Sequence, residues 1–252
     1  MLSENRAVYE EQIQINTYEC DPNQTWKPAA FFQHLTEAAN HHASRLGLGF
    51  VDLYTRGLFW VHSRMKLKFL RFPHVSELIT IRTWPKIIQQ KLFYIRDFEV
   101  TDANKQQIAV ATSAWLIINA KTRAMTTPQS LNLDMPKQSD QFALDEPMEK
   151  INLAQNGEES LRVRATYSAV DMVGHVNNSR YIEWICDSFP MEWFTQHQLD
   201  WIQINYDHEV LPNNEVSLLV NPTEQDANLW AVEGHNLSND TRAFEAAVRW
   251  QE

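Results

Sequence analysis

The sequence has few of the residues that mark several large classes of protein. Its only two cysteines, Cys20 and Cys186, lie far apart and follow no zinc-type spacing. This pattern argues against a disulfide framework or a zinc ribbon and favours a reducing compartment. Apolar runs are short as well, since the longest candidate, Ala114 to Ile118, falls well below the ~20 residues that cross a bilayer. The first ten residues carry charges and lack the apolar core of a signal peptide, so a cytoplasmic protein outside the membrane is predicted.

Basic residues are also scarce. There are 22 Lys and Arg against 32 Asp and Glu, which gives a net charge of -10. This balance argues against broad binding to nucleic acid or to anionic membranes, and no helix-turn-helix pattern indicates a DNA-binding regulator. In contrast, hydrophobic residues make up 44% of the 252 residues, with 9 Trp and 12 Phe, so the chain can fill a globular core.

The first half has the pattern of a strand, a long helix and an antiparallel sheet. Apolar residues recur at steps of three and four from Pro28 to Leu46, which predicts a helix that Gly47 ends. Strand patterns precede and follow it, at 8–18, 59–69, 78–84, 92–101 and 107–119. The fold class is therefore predicted to be α+β.

The second half repeats this order after a segment rich in proline and polar residues. Strands are predicted at 160–168, 201–210, 215–221, 229–236 and 242–250, and a helix at 177–197 is interrupted at Pro190. The strand-to-helix turns of the halves align without gaps, 21–25 over 171–175, with Asp matching Asp. We predict an N-terminal domain at 1–130, a linker at 131–159 and a C-terminal domain at 160–252.

The turn of the second half carries the candidate chemistry. Asp171, His175, Asn177 and Asn178 lie where a strand leads into a helix N-terminus, where free N–H groups and the helix dipole stabilise negative charge. The plainer interpretation is a turn residue, a surface histidine and a helix cap.

The wider string favours the chemical interpretation. It reads Asp171-Met-Val-Gly-His175-Val-Asn-Asn-Ser-Arg-Tyr181-Ile-Glu-Trp184. This resembles the Asp-x-Asn-x-His-Val-Asn-Asn-x-x-Tyr signature of the acyl-acyl carrier protein thioesterases, a family of tandem HotDog domains. Ile204-Asn-Tyr-Asp-His-Glu209-Val210 resembles the second catalytic strand of that family. Arg96-Asp-Phe-Glu-Val100, Ala111-Thr-Ser-Ala-Trp115 and Thr122-Arg123 resemble motifs of its first half.

The resemblance implies a double HotDog fold and a thioester hydrolase that needs no cofactor. Asp171, His175 and Glu209 are then the catalytic residues, with Glu209 as general base or nucleophile, His175 as proton relay and Asp171 as the orienting group. Backbone N–H groups near Asn177 and Asn178 meet the oxyanion. Two positions depart from the family: Val173 replaces a catalytic Asn, and Val210 replaces a plant-type Cys.

Other residues receive weaker functional predictions. The resemblance places one cluster of the first helix beside an acyl tunnel, although simple core packing is the default for such side chains: Phe31, Phe32, Leu35 and Ala39. His41 and His42 are adjacent and so point to different faces, which predicts no metal site. Cys186 is predicted to pack in the core.

The implied partner is an acyl carrier protein with a fatty acyl chain. A basic strand face is by default solvated, but it is also the candidate docking surface for this acidic partner: Arg64, Lys66, Lys68 and Arg71. Two rival functions stay open, an acyl-CoA thioesterase of the same fold and a non-catalytic acyl-binding protein. A monomer or a homodimer is compatible with two HotDog units in one chain.

Overall fold

The computed structural model describes residues 6–131, 133, 135–136, 141–144, 148, 151, 157–224 and 226–251. It divides into two compact units. The first unit comprises 1–26, 33–65 and 70–147, and the second comprises 27–32, 66–69 and 148–252. Most of the predicted linker at 131–159 lies outside the described residues.

The first unit is built on an antiparallel sheet. Its strands are β1 (Tyr9–Gln14), β2 (Leu58–Phe69), β3 (Leu78–Gln89), β4 (Phe93–Asp102), β5 (Gln107–Asn119) and the short β6 (Met125–Thr126). The last four residues of β2, 66–69, belong to the second unit. They are ordered β1-β3-β4-β5-β2, and β6 pairs with β5. The helices of this half of the sequence are α1 (Pro28–Arg45), α2 (Phe50–Tyr54) and α3 (Pro128–Leu131). Branched and aromatic residues of the central strands, such as Ile81, Phe98 and Ile108, are fully buried in the core.

The second unit repeats this plan. Its strands are β7 (Glu158–Arg164), β8 (Gln198–Tyr206), β9 (Glu215–Pro222), β10 (Leu229–Asn236) and β11 (Thr241–Gln251), ordered β8-β11-β10-β9-β7. The helices are α4 (Asn178–Asp187) and α5 (Trp193–Gln196). A 3-10 turn at Tyr167–Ala169 follows β7, as one at Thr17–Glu19 follows β1. Both units therefore share one strand order and one sequence of elements, as predicted for a duplicated chain.

Four strands differ from the sequence prediction. β1 and β7, predicted at 8–18 and 160–168, end at Gln14 and Arg164, because a 3-10 turn follows each of them. Pro85 was expected to end a strand at Trp84, but β3 continues to Gln89 through an irregularity in its pairing with β4 between Pro85 and Ile88. Pro85 has no N–H to donate, and an irregularity in the pairing accommodates it, so the strand continues past this residue. β8 ends at Tyr206 and not at Val210, which places Glu209 in the segment after the strand. Among the described residues, no helix has the length and apolar character needed to span a membrane.

Gly234 marks a close approach inside the second unit. A Cβ placed at this residue would lie 2.0 Å from Cε1 of Phe244, a fully buried ring on β11. The pairing of β10 with β11 also shifts register between Gly234 and His235. We therefore expect Gly234→Ala to lower the free energy of unfolding by about 1–3 kcal/mol, as overpacking does. Urea denaturation measures this, and an unchanged midpoint would show that the Phe244 ring moves aside freely.

A buried histidine makes the first unit sensitive to acid. His62 is 4% exposed and its ring stacks on Trp115 with centroids 4.1 Å apart. Burial lowers the pKa of His62 to about 3, although a hydrogen bond with the Arg64 backbone acts in the opposite direction. The unfolded chain, with an ordinary histidine pKa near 6.5, then binds more protons than the folded chain between these values. The stability that His62 contributes is therefore lost as the pH falls below about 6.5.

The expected slope from His62 is about 1.4 kcal/mol per pH unit at most. His62→Phe keeps a flat ring against Trp115 and removes the titration. We expect the free energy of unfolding of this variant to fall less steeply than that of the wild type between pH 6.5 and 4.5. Urea denaturation at several pH values gives both slopes, and equal slopes would contradict the assignment.

Candidate active site

The turn between β7 and α4 is held by its own backbone. The Asp171 N–H donates to the His175 carbonyl at 2.9 Å, and the Gly174 N–H donates to the Asp171 carbonyl at 3.1 Å. The Asp171 Oδ1 accepts from the Val173 N–H at 3.0 Å. Gly174 has φ +87°, a conformation that glycine adopts without steric cost. The turn thus presents His175 at a defined position just before α4.

The first half forms the same turn. The Asp21 N–H donates to the Thr25 carbonyl at 2.9 Å, and the Gln24 N–H donates to the Asp21 carbonyl at 2.9 Å. Gln24 has a positive φ of 64°, like Gly174 in the second half. The structure therefore confirms the alignment of the two turns that the sequence indicated.

His175 and Glu209 form the pair at the centre of the site. His175 Nε2 lies 3.1 Å from Glu209 Oε2, with side chains that are 27% and 40% exposed. Glu209 reaches His175 because the segment after β8 is tied to the turn, where the Val176 N–H donates to the Val210 carbonyl at 2.9 Å. The pair is open to solvent and joins an imidazole to a carboxylate, so it can accept and return a proton.

The equivalent position in the first unit lacks both groups. There the Trp26 N–H donates to the Pro73 carbonyl at 2.9 Å, the counterpart of the bond between Val176 and Val210. Phe72 consequently takes the place of Glu209, and Thr25 takes the place of His175. Acid-base chemistry of this kind is therefore available in the second unit, and the first-unit turn has kept only the backbone geometry.

Asp171 acts within its own turn. Its side chain is half-buried, and the hydrogen bond that its carboxylate accepts comes from the Val173 N–H. Val173 itself is 49% exposed. In the first-half turn, the amide of Asn23 lies 3.5 Å from Asp21 Oδ2. An Asn in place of Val173 would by analogy extend toward Asp171, so the valine removes an amide donor from the turn surface without opening the core.

The hydrogen bonds at the start of α4 show which backbone N–H groups already have an acceptor and so are not available to an oxyanion. Asn177 is the N-cap, and its Oδ1 accepts from the Ser179 N–H at 3.0 Å. The Asn177 N–H donates to the Ala169 carbonyl at 2.9 Å. Both amides therefore already have acceptors, so the predicted oxyanion donors near Asn177 and Asn178 do not include the Asn177 N–H itself. In this part of the described chain, the Asn178 N–H remains as the candidate donor.

Tyr181 is a residue of the site that the sequence analysis did not single out. It is 3% exposed, and its ring packs edge-on against Phe244 with centroids 5.2 Å apart. Burial raises the pKa of Tyr181, a hydrogen bond with the Val210 backbone lowers it, and the charges of Glu209 and Asp171 raise it further. The phenol therefore stays protonated beside both carboxylates. Its fixed place in the motif, six residues after His175, was the available signal.

The predicted acyl-pocket residues do not share one environment. Phe31, Phe32 and Leu35 are fully buried, and Phe31 packs edge-on against Phe69 at 5.2 Å. Ala39 instead lines a cleft of the first unit that is open to solvent and has a cavity volume of about 40 Å³. The other walls of this cleft are mostly apolar and include Trp60, Leu48, Tyr94, Ile95 and Trp115. Trp60, Tyr94 and Trp115 lie on β2, β4 and β5, and the strand pattern was the sequence signal for these three residues.

The basic strand face is not a solvated surface throughout. Lys66 is fully buried, with its Nζ 4.3 Å from the centroid of the Trp201 ring, because its stem and ammonium pack against an aromatic face. Arg71 is bound to Glu77 and, at 3.0 Å, to Asp102, so two carboxylates neutralise its charge. Arg64 and Lys68 are half-buried. Carrier-protein docking stays a prediction for these last two residues alone.

The adjacent histidines of α1 make separate contacts. His41 Nδ1 lies 2.9 Å from Glu11 Oε2, and its Nε2 lies 3.3 Å from Glu37 Oε1. His42 is buried and bonds elsewhere. Among the described residues, no group of three or more His, Cys, Asp or Glu side chains is arranged to hold a metal ion. Burial raises the pKa of the Cys186 thiol, which keeps it protonated and unreactive.

Two family models match the chain. The first, described as the acyl-ACP thioesterase N-terminal domain, where ACP is acyl carrier protein, matches residues 6–129. The second, described as the acyl-ACP thioesterase C-terminal domain, matches residues 151–252. Together these matches cover most of the chain, and the second contains the turn with His175 and Glu209.

Individual proteins show the same similarity. An oleoyl-acyl carrier protein thioesterase of Coriandrum sativum is 27% identical over 261 residues, which cover 93% of this chain and 68% of the coriander protein. Across the other curated plant relatives, the chain spans between 51% and 70% of their length. The crystal structure of an acyl-ACP thioesterase from Bacteroides thetaiotaomicron is 26% identical with a TM-score of 0.89, and all of both chains is covered.

A second solved structure supports the fold alone. A 12:0-ACP thioesterase from Umbellularia californica is 22% identical, with a TM-score of 0.80 and 97% of each chain covered. The α+β fold class predicted from the sequence is confirmed by these structures and by the sheets of both units.

Proposed function

The chain belongs to the acyl-ACP thioesterase family, and on that premise we propose that it hydrolyses the thioester of fatty acyl carrier protein to release a free fatty acid. The observation that carries the proposal is the contact of His175 Nε2 with Glu209 Oε2 at 3.1 Å, beside the N-terminus of α4. The proposed setting is the cytoplasm, in keeping with a chain that has two cysteines and no zinc-type spacing.

Direct attack by water is the step that this geometry favours. Glu209, held through one oxygen by His175, accepts a proton from water while the water oxygen attacks the thioester carbonyl carbon. The Asn178 N–H and the positive end of α4 stabilise the developing oxyanion. The C–S bond then breaks, and the proton held by the pair passes through His175 to the leaving sulfur. The products are one carboxylic acid and one thiol.

Two further residues position this pair. Asp171 holds the turn that presents His175, since its Oδ1 accepts from the Val173 N–H at 3.0 Å. Tyr181 contacts the Val210 backbone and so fixes the segment that carries Glu209. Substituting either residue is expected to change the distance between His175 and Glu209 and not the chemistry itself.

The substrate class is tested by thiol release from one acyl chain presented on two carriers. We expect faster hydrolysis of the carrier-protein thioester than of the matching coenzyme A thioester. A preference for coenzyme A would reject the proposed substrate. Binding of acyl ligands without turnover on either carrier would instead favour an acyl-binding protein whose site lost activity when Asn was replaced by Val173.

Isotope labelling separates direct water attack from the covalent route in which the Glu209 anhydride is hydrolysed at the Glu209 carbonyl. In a single turnover in water labelled with oxygen-18, attack by water places the label in the released acid at once. In the covalent route, Glu209 attacks the thioester and forms an anhydride with the acyl group. If water then attacks the Glu209 carbonyl, the label enters Glu209 and the first released acid carries none. We expect labelled product, and mass spectrometry of the acid and of the peptide containing Glu209 gives the answer.

A further inference from the structure

A tyrosine at the end of β8 contacts the residue that carries the candidate oxyanion donor. Tyr206 is the last residue of β8, and its hydroxyl donates to the Asn178 carbonyl at 3.2 Å. Asn178 is the first residue of α4, and its own N–H is the candidate donor. Burial raises the pKa of the Tyr206 phenol, and the neighbouring Tyr181 raises it further. The hydroxyl therefore keeps its proton at neutral pH and can donate to this carbonyl.

The hydrogen bond from Tyr206 is not required to form α4. A carbonyl in the first turn of an α-helix accepts from the N–H four residues later, which for Asn178 is the N–H of Ile182. The phenol is thus a second donor to an oxygen that the helix already pairs. Its bond joins a strand to a helix and restrains the place of the first residue of α4. Removing the hydroxyl therefore releases that restraint without costing a helical hydrogen bond.

Tyr206 is itself held in place by its neighbours. It pairs with Phe244 of β11 in the sheet, and the Tyr181 ring packs edge-on against its ring with centroids 5.8 Å apart. Glu209 follows only three residues later in the chain. The sheet and the ring contact therefore fix Tyr206 close to the segment that carries Glu209, and from this fixed position its hydroxyl reaches the helix that carries the oxyanion donor.

We propose that Tyr206 is a positioning residue that holds the Asn178 N–H where thioester hydrolysis by Glu209 requires it. The inference rests on the proposed function, in which Glu209 activates the water and the Asn178 N–H binds the oxyanion. Such a donor stabilises the transition state only when it points at the oxygen that gains charge, so a displaced N–H lowers kcat. The bound substrate has not yet gained this charge, so KM should depend little on Tyr206.

Tyr206→Phe removes the hydroxyl and keeps the ring that packs against Tyr181. The loss of one neutral hydrogen bond predicts a kcat about 3-fold to 10-fold below that of the wild type, with KM within about 2-fold. The pH profile of kcat should keep its shape, because the bond that is removed leads to α4 and not to His175. Steady-state thiol release at several pH values measures these quantities. An unchanged kcat, or a KM that rises by the factor by which kcat falls, would overturn the proposal.

A buried tyrosine of the first unit provides the matched control. Tyr9 is 6% exposed, and its hydroxyl donates to Glu11 Oε2 at 2.8 Å. Tyr9→Phe removes the same group from a residue outside the site, and its kcat should stay within about 2-fold of the wild type. If Tyr9→Phe lowered kcat as much as Tyr206→Phe does, the loss would reflect a general effect of removing a buried hydroxyl and the proposal would be wrong.

A second variant tests whether Tyr206 acts through the Asn178 N–H. Asn178→Pro removes this N–H at the first helical position, where proline fits, and Asn177 before it has the extended conformation that proline favours, with φ -62° and ψ 138°. We expect Asn178→Pro to lower kcat by about 10²-fold, as the loss of an oxyanion donor does. In this background, Tyr206→Phe should lower kcat by less than about 2-fold more, because the group that it positions is absent. Effects that multiply in the double variant would overturn the proposal.

An amide signal separates this inference from the proposed function. Nitrogen-15 relaxation reports the order of the Asn178 N–H on the picosecond-to-nanosecond timescale without any substrate. Its order parameter should fall in Tyr206→Phe and stay at the wild-type value in Tyr9→Phe. An unchanged value in Tyr206→Phe would overturn the positioning role. If the order parameter fell in Tyr206→Phe but the wild type hydrolysed no thioester, the proposed function would be rejected and the restraint of Asn178 by Tyr206 would stand.

Discussion

We expect His175→Ala and Glu209→Gln each to lower kcat for acyl carrier protein thioesters by about 10²-fold or more, the usual size of an acid-base contribution. The two side chains meet at 3.1 Å and are 27% and 40% exposed. Removing either one takes away the proton acceptor or the group that relays its proton. Because neither side chain fills the core, we expect the Tm of both variants to stay close to that of the wild type. Steady-state thiol release and a thermal melt measure the two quantities.

The neighbouring His208 provides a matched control. His208 is exposed and lies outside the proposed catalytic pair. Its Nδ1 is 2.9 Å from the Arg242 carbonyl oxygen. His208→Ala removes an imidazole one residue from Glu209, and we expect its kcat to stay within about 2-fold of the wild type, as for a surface substitution. If His208→Ala lost as much activity as His175→Ala, or if both catalytic variants remained active, the assignment of the chemistry to this pair would be wrong.

We expect Asp97→Asn to lower the free energy of unfolding by about 3–5 kcal/mol, the cost of breaking a buried ion pair. Asp97 is fully buried, and its Oδ2 lies 2.9 Å from Nζ of Lys86, which is 6% exposed. The carboxylate also accepts from Thr112 and from the Ala143 N–H, so the first unit loses three contacts to one charged group. Urea denaturation followed by circular dichroism measures the loss.

Two further variants test whether the loss of stability comes from the uncompensated charge of buried Lys86. Glu99→Gln changes a carboxylate on the same strand, paired with Arg82 near the surface, and we expect a loss within about 1 kcal/mol. Lys86→Met combined with Asp97→Leu removes both charges, and this double variant should be more stable than Asp97→Asn. A double variant that is as unstable as Asp97→Asn would indicate that packing around Asp97, and not the uncompensated Lys86, dominates.

The spacing of apolar residues predicted a strand correctly where side-chain burial alone determines the bounds of the strand. β5 at Gln107–Asn119 and β10 at Leu229–Asn236 match the predicted residues. β3 runs past its predicted end because a pairing irregularity accommodates Pro85. The irregularity lies in the pairing with β4, so the residues around Pro85 do not by themselves indicate that the strand continues.

The proposed catalytic pair also shows what the local sequence determines and what the tertiary structure determines. The motif with Asp171 and His175 marked one member, and Glu209 was named from a second motif 34 residues further on. Their contact arises because the Val176 N–H bonds to the Val210 carbonyl, a pairing between distant segments. Lys66 shows the opposite case, since alternation predicted a solvated lysine, whereas the second unit buries it against Trp201.

The sequence by itself determined the α+β class, the duplication, the family signature and the residue types of the proposed catalytic pair. Each of these depends on local spacing, because side-chain periodicity and turn chemistry are short-range properties. Only the tertiary structure decided which amides near α4 already have acceptors and which basic residues are buried. Hydrogen-bond partners and burial depend on segments that are distant in the sequence, and charge balance in a buried site depends on all of them together.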